Sequence, residues 1–177
     1  MKYIIANWKA HKTFQESLDW LKSLLRQINA SNDILQNLEY DKLQIIIAPP
    51  LPFLQSILEK IHGYKNVSLA AQNISDRDDG SFTGEVTAHA LTNLARYSIV
   101  GHSERRSHYG EGKEVIEQKI QQAKKHDIEP ILCVRNKQDY EKNITQFIAY
   151  EPVEAIGTGN NYSIENVRAF KRSLELP

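Results

Sequence analysis

The sequence predicts an α/β protein in which a parallel sheet is covered by helices. Three observations predict it. Short runs such as 43–48, 67–71 and 97–101 are apolar but for one residue each, Gln44, Ser68 and Ser98, and lack the strict polar alternation of a half-exposed strand, the mark of strands buried on both faces. These runs alternate with stretches of helical spacing, the pattern of strand–helix crossover units. The unusual polar residues collect just after the runs: Asn7 and Lys9, Gln72 and Asn73, His102 and Glu104, and Glu151. In parallel α/β folds the carboxyl ends of the strands share one face, and sites form there. Periodicity leaves a barrel and an open doubly wound sheet both open.

Composition narrows the class. The 177 residues carry 22 basic and 22 acidic groups with 41% hydrophobic residues, enough apolar material for one compact domain spanning residues 1–177. The neutral balance gives no pointer to nucleic acid or to an acidic membrane surface. Cys133 is the only cysteine, so an intrachain disulfide is excluded and a reducing, cytoplasmic setting is expected. The apolar run after Met1 is too short for a signal peptide or a membrane span.

Taken in order, residues 3–6 read as a first buried strand ending in Asn7-Trp8-Lys9. Thr13 and Glu16 form a capping-box pattern, and Leu18, Leu21, Leu25 and Ile28 follow at helical spacing; residues 29–41 read as loop. A second strand, 43–48, is stopped by Pro49-Pro50. A helix is expected over 53–62, with Pro52 suited to its start and Gly63 to its end. A third strand, 67–71, leads into the long polar stretch from Gln72 to Glu85. A helix over 87–95 precedes the fourth strand, 97–101, whose tip carries His102-Ser-Glu-Arg-Arg106. Residues 113–126 read as helix, 130–134 as strand five, 146–150 as a buried strand six, and 163–176 as a last helix.

The last strand ends in Tyr150-Glu151-Pro152, and Ile156-Gly157-Thr158-Gly159 follows. Here a carboxylate stands at a strand tip beside a glycine-rich segment able to offer N–H groups to an anion. With Glu151 as general base, His102 as acid or electrophile, Lys9 as fixed cation and Gly157 in an anion nest, the set suits proton abstraction beside a carbonyl of a phosphorylated sugar. No cluster has metal-ligand spacing, so no metal or other cofactor is expected. Each residue also has a structural reading. Lys9 can be a solvated lysine near a helix start, His102 a satisfied loop histidine, and Glu104 with Arg105 and Arg106 one structural ion-pair cluster.

Seven motifs in linear order resemble the triosephosphate isomerase family. They are Ala6-Asn-Trp-Lys9, Ala48-Pro-Pro50, Ala70-Ala-Gln-Asn73, Phe82-Thr-Gly-Glu85, Val100-Gly-His-Ser-Glu-Arg-Arg106, Ile131-Leu-Cys133, and Tyr150-Glu-Pro152 with Ile156-Gly-Thr-Gly159. The resemblance implies a TIM (β/α)8-type barrel and interconversion of dihydroxyacetone phosphate and glyceraldehyde 3-phosphate. By position it implies Glu151 as the base and His102 as the electrophile, a neutral histidine in this family. Lys9 and Asn7 orient the substrate, Glu104 sits beside the lysine, and Ser103 neighbours the base. Gly157 lies in a closing lid and gives an N–H to the substrate phosphate. The family also implies a homodimer formed through the loop from Gln72 to Glu85, with Thr83 near its tip.

Three features depart from the family pattern. Glu154 replaces the tryptophan usual in the lid hinge, while Arg135-Asn136 replaces Gly-Glu after strand five; Arg135 and Glu154 are expected to pair. The connection between strands five and six leaves room for a helical turn or two, so the fifth barrel helix is vestigial. Only six strands are read where a complete barrel has eight, which leaves a second reading: a truncated, non-catalytic relative serving dimerisation or phosphate-ligand binding.

Overall fold

The computed structural model describes residues 1–30, 42–152 and 162–175. Six strands form its sheet: β1 (Lys2–Asn7), β2 (Leu43–Ala48), β3 (Val67–Ala71), β4 (Tyr97–Val100), β5 (Glu129–Val134) and β6 (Phe147–Tyr150). All are parallel and hydrogen-bonded in the order β1-β2-β3-β4-β5-β6. A doubly wound sheet reverses its strand order at a switch point. Here every crossover advances one strand in the same direction, which is how a barrel wall is laid down, and the alternative left open by periodicity falls away.

Strand alternation divides the apolar residues between two faces. Ile45 and Ile47 of β2 join a cluster with helix residues Leu21, Leu54 and Ile57, so this face is outermost. Ile46 and Ala48 point the other way, into a cluster of strand residues with Ala70, Tyr97, Ile99, Ile131 and Cys133. At the base of this inner face the ring of Tyr3 on β1 meets Phe147 on β6 edge-on, at 4.9 Å and 88°. Phe147 meets Tyr97 at 5.7 Å and 82°.

The first and sixth strands are less buried than their apolar sequences suggest. Ile4 is 54% exposed, and β6 is half-buried throughout. Among the described strands each has one ladder partner, so an apolar run is not covered from both sides there.

Among the described residues five α-helices cross over or cap the strands. α1 (Phe14–Ala30) starts at the expected capping box: Thr13 N–H donates to Glu16 Oε2 at 2.8 Å, and Glu16 N–H donates to Thr13 Oγ1 at 3.3 Å. It runs to Ala30, so residues 29 and 30 are helix rather than loop. α2 (Leu54–Ile61) follows a 3₁₀ turn over Leu51–Phe53 that contains Pro52. The helix expected over 87–95 is instead a 3₁₀ turn, His89–Leu91, within a series of turns. Asn93 adopts a positive φ of 66°, which ends any helical run there.

α3 (Ser103–His108) has no counterpart in the sequence reading, whereas α4 (Lys113–Lys125) and α5 (Ile164–Ser173) lie where helices were expected. Between β5 and β6 stands only a 3₁₀ turn, Lys137–Asp139, the vestige predicted. α5 lies on β6 by ring stacking, Phe170 being 3.7 Å from Tyr150 at 11°. In the polar loop after β3, Asp78 accepts from Lys125 Nζ and lies 3.0 Å from His126 Nε2, which ties the loop to the end of α4.

Candidate active site

Each functional side chain is set by a local device at a strand end. Asn7 closes β1 and its Oδ1 accepts from Lys9 N–H at 3.0 Å, a short side-chain turn. Lys9 adopts φ 50°, a left-handed conformation that a non-glycine residue takes only when its surroundings enforce it. Those surroundings include Gln72, whose Nε2 donates to Lys9 O at 3.0 Å and to Ala48 O at 2.9 Å. The lysine then reaches over to α3, where Nζ donates to Glu104 Oε1 at 2.6 Å. That ammonium is the largest cause holding the Glu104 carboxyl below the ordinary glutamate range.

Gly101 turns the chain out of β4 at φ +68°, which a side chain resists. His102 comes next and is the N-cap of α3: its Nδ1 accepts from Glu104 N–H at 3.3 Å. A ring nitrogen that accepts carries no proton, so the neutral ring bears its hydrogen on Nε2. Nε2 lies 2.7 Å from Glu151 Oε1. The second oxygen of Glu151 accepts from Ser103 N–H at 2.9 Å, and Glu151 N–H donates to Val134 O at 2.8 Å, continuing the β5–β6 ladder past Tyr150. Burial pushes the Glu151 carboxyl up, but the bonds from His102 and Ser103 outweigh it and leave it below its ordinary value.

A cavity of about 360 Å³ opens over these strand ends, lined by Asn7, Lys9, Gln72, Asn73, His102 and Glu104 among others. Of its polar groups, the Lys9 ammonium is held by Glu104 Oε1 and the His102 Nε2–H by Glu151 Oε1, so a ligand would have to draw these donors from the carboxylates. Glu151 is not part of the lining, its carboxylate being turned onto His102 and Ser103. Among the described residues no three His, Cys, Asp or Glu side chains converge as a metal ion requires.

Of the residues singled out in the sequence, Asn7, Lys9, His102, Ser103, Glu104 and Glu151 come together in this region, while Gly157 and Glu154 lie outside the described residues. Arg135 pairs with Asp139 through Nε at 2.8 Å and Nη2 at 3.0 Å. Glu104, Arg105 and Arg106 do not form one ion-pair cluster. Glu104 turns to Lys9, Arg105 donates to Glu111 Oε1 at 2.6 Å, and Arg106 pairs with Asp139. The helical turn of α3 fans the three side chains apart, a consequence invisible while the segment read as a strand tip. The sequence reading placed Gln72 at a strand tip and at the start of the dimer loop but not as the residue that holds Lys9 O and Ala48 O; Asp139 carried no signal.

The family model described as Triosephosphate isomerase matches residues 2–146 and 138–175. The chain is 37% identical to the triosephosphate isomerase of Picosynechococcus, over 90% of this chain and 71% of that protein. It is 35% identical to that of Mycoplasma mobile, over 93% of this chain and 74% of that protein. The crystal structure of triosephosphate isomerase from Bartonella henselae superposes with a TM-score of 0.60 at 28% identity, covering 75% of this chain and 51% of that one. The chain therefore spans about seven-tenths of those two relatives and about half of the solved chain.

Proposed function

This chain belongs to the triosephosphate isomerase family, and from that premise we propose that it interconverts dihydroxyacetone phosphate and D-glyceraldehyde 3-phosphate through an enediolate. The observation that carries the reading is the convergence of Glu151, His102 and Lys9 at the ends of three different strands. Glu151 takes the proton from the carbon beside the carbonyl, the electron pair moves onto the carbonyl oxygen, and the same carboxyl returns the proton to the neighbouring carbon. His102 Nε2–H and the Lys9 ammonium stabilise the oxygen as charge develops, each such donor being worth roughly 3–4 kcal/mol in a preorganised site. Because His102 starts as a neutral ring with its proton facing the site, it can move a proton between the two substrate oxygens without first losing one to water.

Asn7 orients Lys9 through its side-chain turn, Glu104 holds the ammonium in place, and Ser103 N–H parks the base. Gly157 gives its N–H to the substrate phosphate, as the family resemblance implies. The chain acts as one domain in the cytoplasm and as a homodimer through the loop from Gln72 to Glu85, whose length and polarity suit a connection with a function. No helix among the described residues is long and apolar enough to cross a membrane.

A coupled assay of glyceraldehyde 3-phosphate turnover by the purified chain tests the activity, with Glu151→Gln as the blank. Turnover in the parent that the blank lacks is the expected result; a parent rate no greater than the blank overturns it.

A further inference from the structure

Arg106 is directed into the protein from α3, with a side chain only 7% exposed, and each part of its guanidinium is engaged. Nε donates to Gly101 O at 2.7 Å, Nη2 donates to Cys133 O at 3.1 Å, and Nη1 lies 3.3 Å from Asp139 Oδ1. Gly101 is the residue before His102. Cys133 belongs to β5, the strand on which Glu151 is hung through Val134 O. One side chain thus grips the backbone behind the histidine and the backbone beside the carboxylate.

The far end of this grip is equally built. Asp139 is 8% exposed at its side chain and, besides Arg106, accepts from Arg135 N–H at 3.0 Å, Nε at 2.8 Å and Nη2 at 3.0 Å. It ends the 3₁₀ turn that stands in place of a crossover helix between β5 and β6. A Cβ added at Gly101 would lie 2.9 Å from Arg106 Nη2 and 3.2 Å from Ile116 Cδ1, so the guanidinium occupies the space that glycine leaves. Buried ion pairs add little net stability against an apolar filling. What this one supplies is a fixed distance between two strand tips.

We propose that Arg106 and Asp139 are positioning residues, a staple across the tips of β4 and β5 that sets the separation of His102 and Glu151. The proposal rests on the reading of those two residues as the proton-transfer pair. Burial disfavours the charged form of Arg106 while Asp139 opposes that effect, which is the electrostatic reason the carboxylate must accompany the arginine.

The test follows the His102 Nε2–H resonance in protein labelled with ¹⁵N-histidine, a readout that needs no turnover, beside the isomerase assay. In the parent this nitrogen lies 2.7 Å from Glu151 Oε1, so its proton is expected to be held there and its resonance to be visible. Arg106→Lys keeps the charge but cannot reach three acceptors, and Asp139→Asn keeps the shape but removes the ion pair. The expected result in each is loss or marked broadening of the resonance. With it, kcat falls by about tenfold to a hundredfold, the scale of a small misplacement of reacting groups, and KM stays within about twofold. The core variant Ile57→Ala, in the cluster under α1 and α2, keeps the resonance, and Asp139→Glu restores part of it. If Arg106→Lys does not fold, Asp139→Asn carries the test. A resonance unchanged in the folded variants overturns the staple; a parent without turnover overturns the isomerase reading and leaves the resonance result to stand by itself.

Discussion

His102 Nε2 and Glu151 Oε1 lie 2.7 Å apart, so the proposed electrophile and the proposed base begin the cycle bonded to each other. Neither can act on a substrate until that bond and the one from Ser103 N–H are exchanged for contacts to the ligand. A hydrogen bond to a charged group is worth about 1.5–3 kcal/mol, and substrate binding must supply that much to release the carboxylate. The paired arrangement keeps the base ionised and in reserve.

Glu151→Gln is expected to lower turnover by about 10²–10⁴-fold, the contribution of a positioned general base, with the fold intact. The amide oxygen can still accept from Ser103 N–H or from His102 Nε2–H, though not from both. Initial rates beside far-UV circular dichroism check this, and an unfolded variant would make Glu151 a structural residue instead.

His102→Gln is expected to be milder. The amide oxygen can take over the cap bond from Glu104 N–H, and its NH₂ can still donate toward the substrate oxygen. What it loses is proton exchange. The rate should fall by less than the roughly 10²–10³ that follows loss of an entire oxyanion donor. Equal rates for parent and variant would remove His102 from the mechanism.

Acid should weaken the fold through two carboxylates. Glu104 titrates below its ordinary value because of Lys9, and Glu151 does so because the bonds from His102 and Ser103 outweigh its burial. A group whose native pKa is depressed favours the fold above its unfolded value, about 4.3 for glutamate, and that contribution disappears as pH falls through the lower native value. Denaturant midpoints at pH 7 and pH 3 should therefore differ more in the parent than in Glu151→Gln. Identical differences would show that Glu151 carries no such linkage.

Strand existence and type were legible because short, β-branched-rich runs such as Leu43–Ala48, apolar but for Gln44, admit little else. The exposure of β1 was not, since Ile4 and Ile5 read as apolar whether or not a neighbour covers them. The residues of the site were legible by kind and by position after strands. Their pairings were not: α3 spans six residues, and whether Glu104 faces Lys9 or Arg105 depends on that one turn. Thr87 to Ala95 misled because its apolar spacing fits a helix, while the positive φ of Asn93 leaves no periodic trace.

The open side of β1 should govern association. Among the described residues its outer edge has no ladder partner, and with exposed Ile4 it offers a template to another strand. Ile4→Lys places a charge on that edge without touching the inner face, and sedimentation velocity should show less high-order species than in the parent. An unchanged distribution would mean that association, if any, uses another surface.

Leu21→Ala removes a side chain that is 1% exposed between α1 and the outer face of the sheet. It should cost about 2–5 kcal/mol, read as a lower urea midpoint at constant slope. A loss under about 1 kcal/mol would mean that the site collapses to fill the gap.

The ring contact between Tyr3 and Phe147 joins the first strand to the sixth. During synthesis β1 emerges ahead of every partner, and its inner aromatic has no counterpart until almost the whole wall has been made. Contacts this distant along the chain are slow to form, and nascent chains expose such surfaces while they wait. β1 can settle against β2 early through its ladder, but the base of the wall closes only when β6 arrives. The oldest residues of the chain therefore wait for one of its later strands before their inner aromatic is packed.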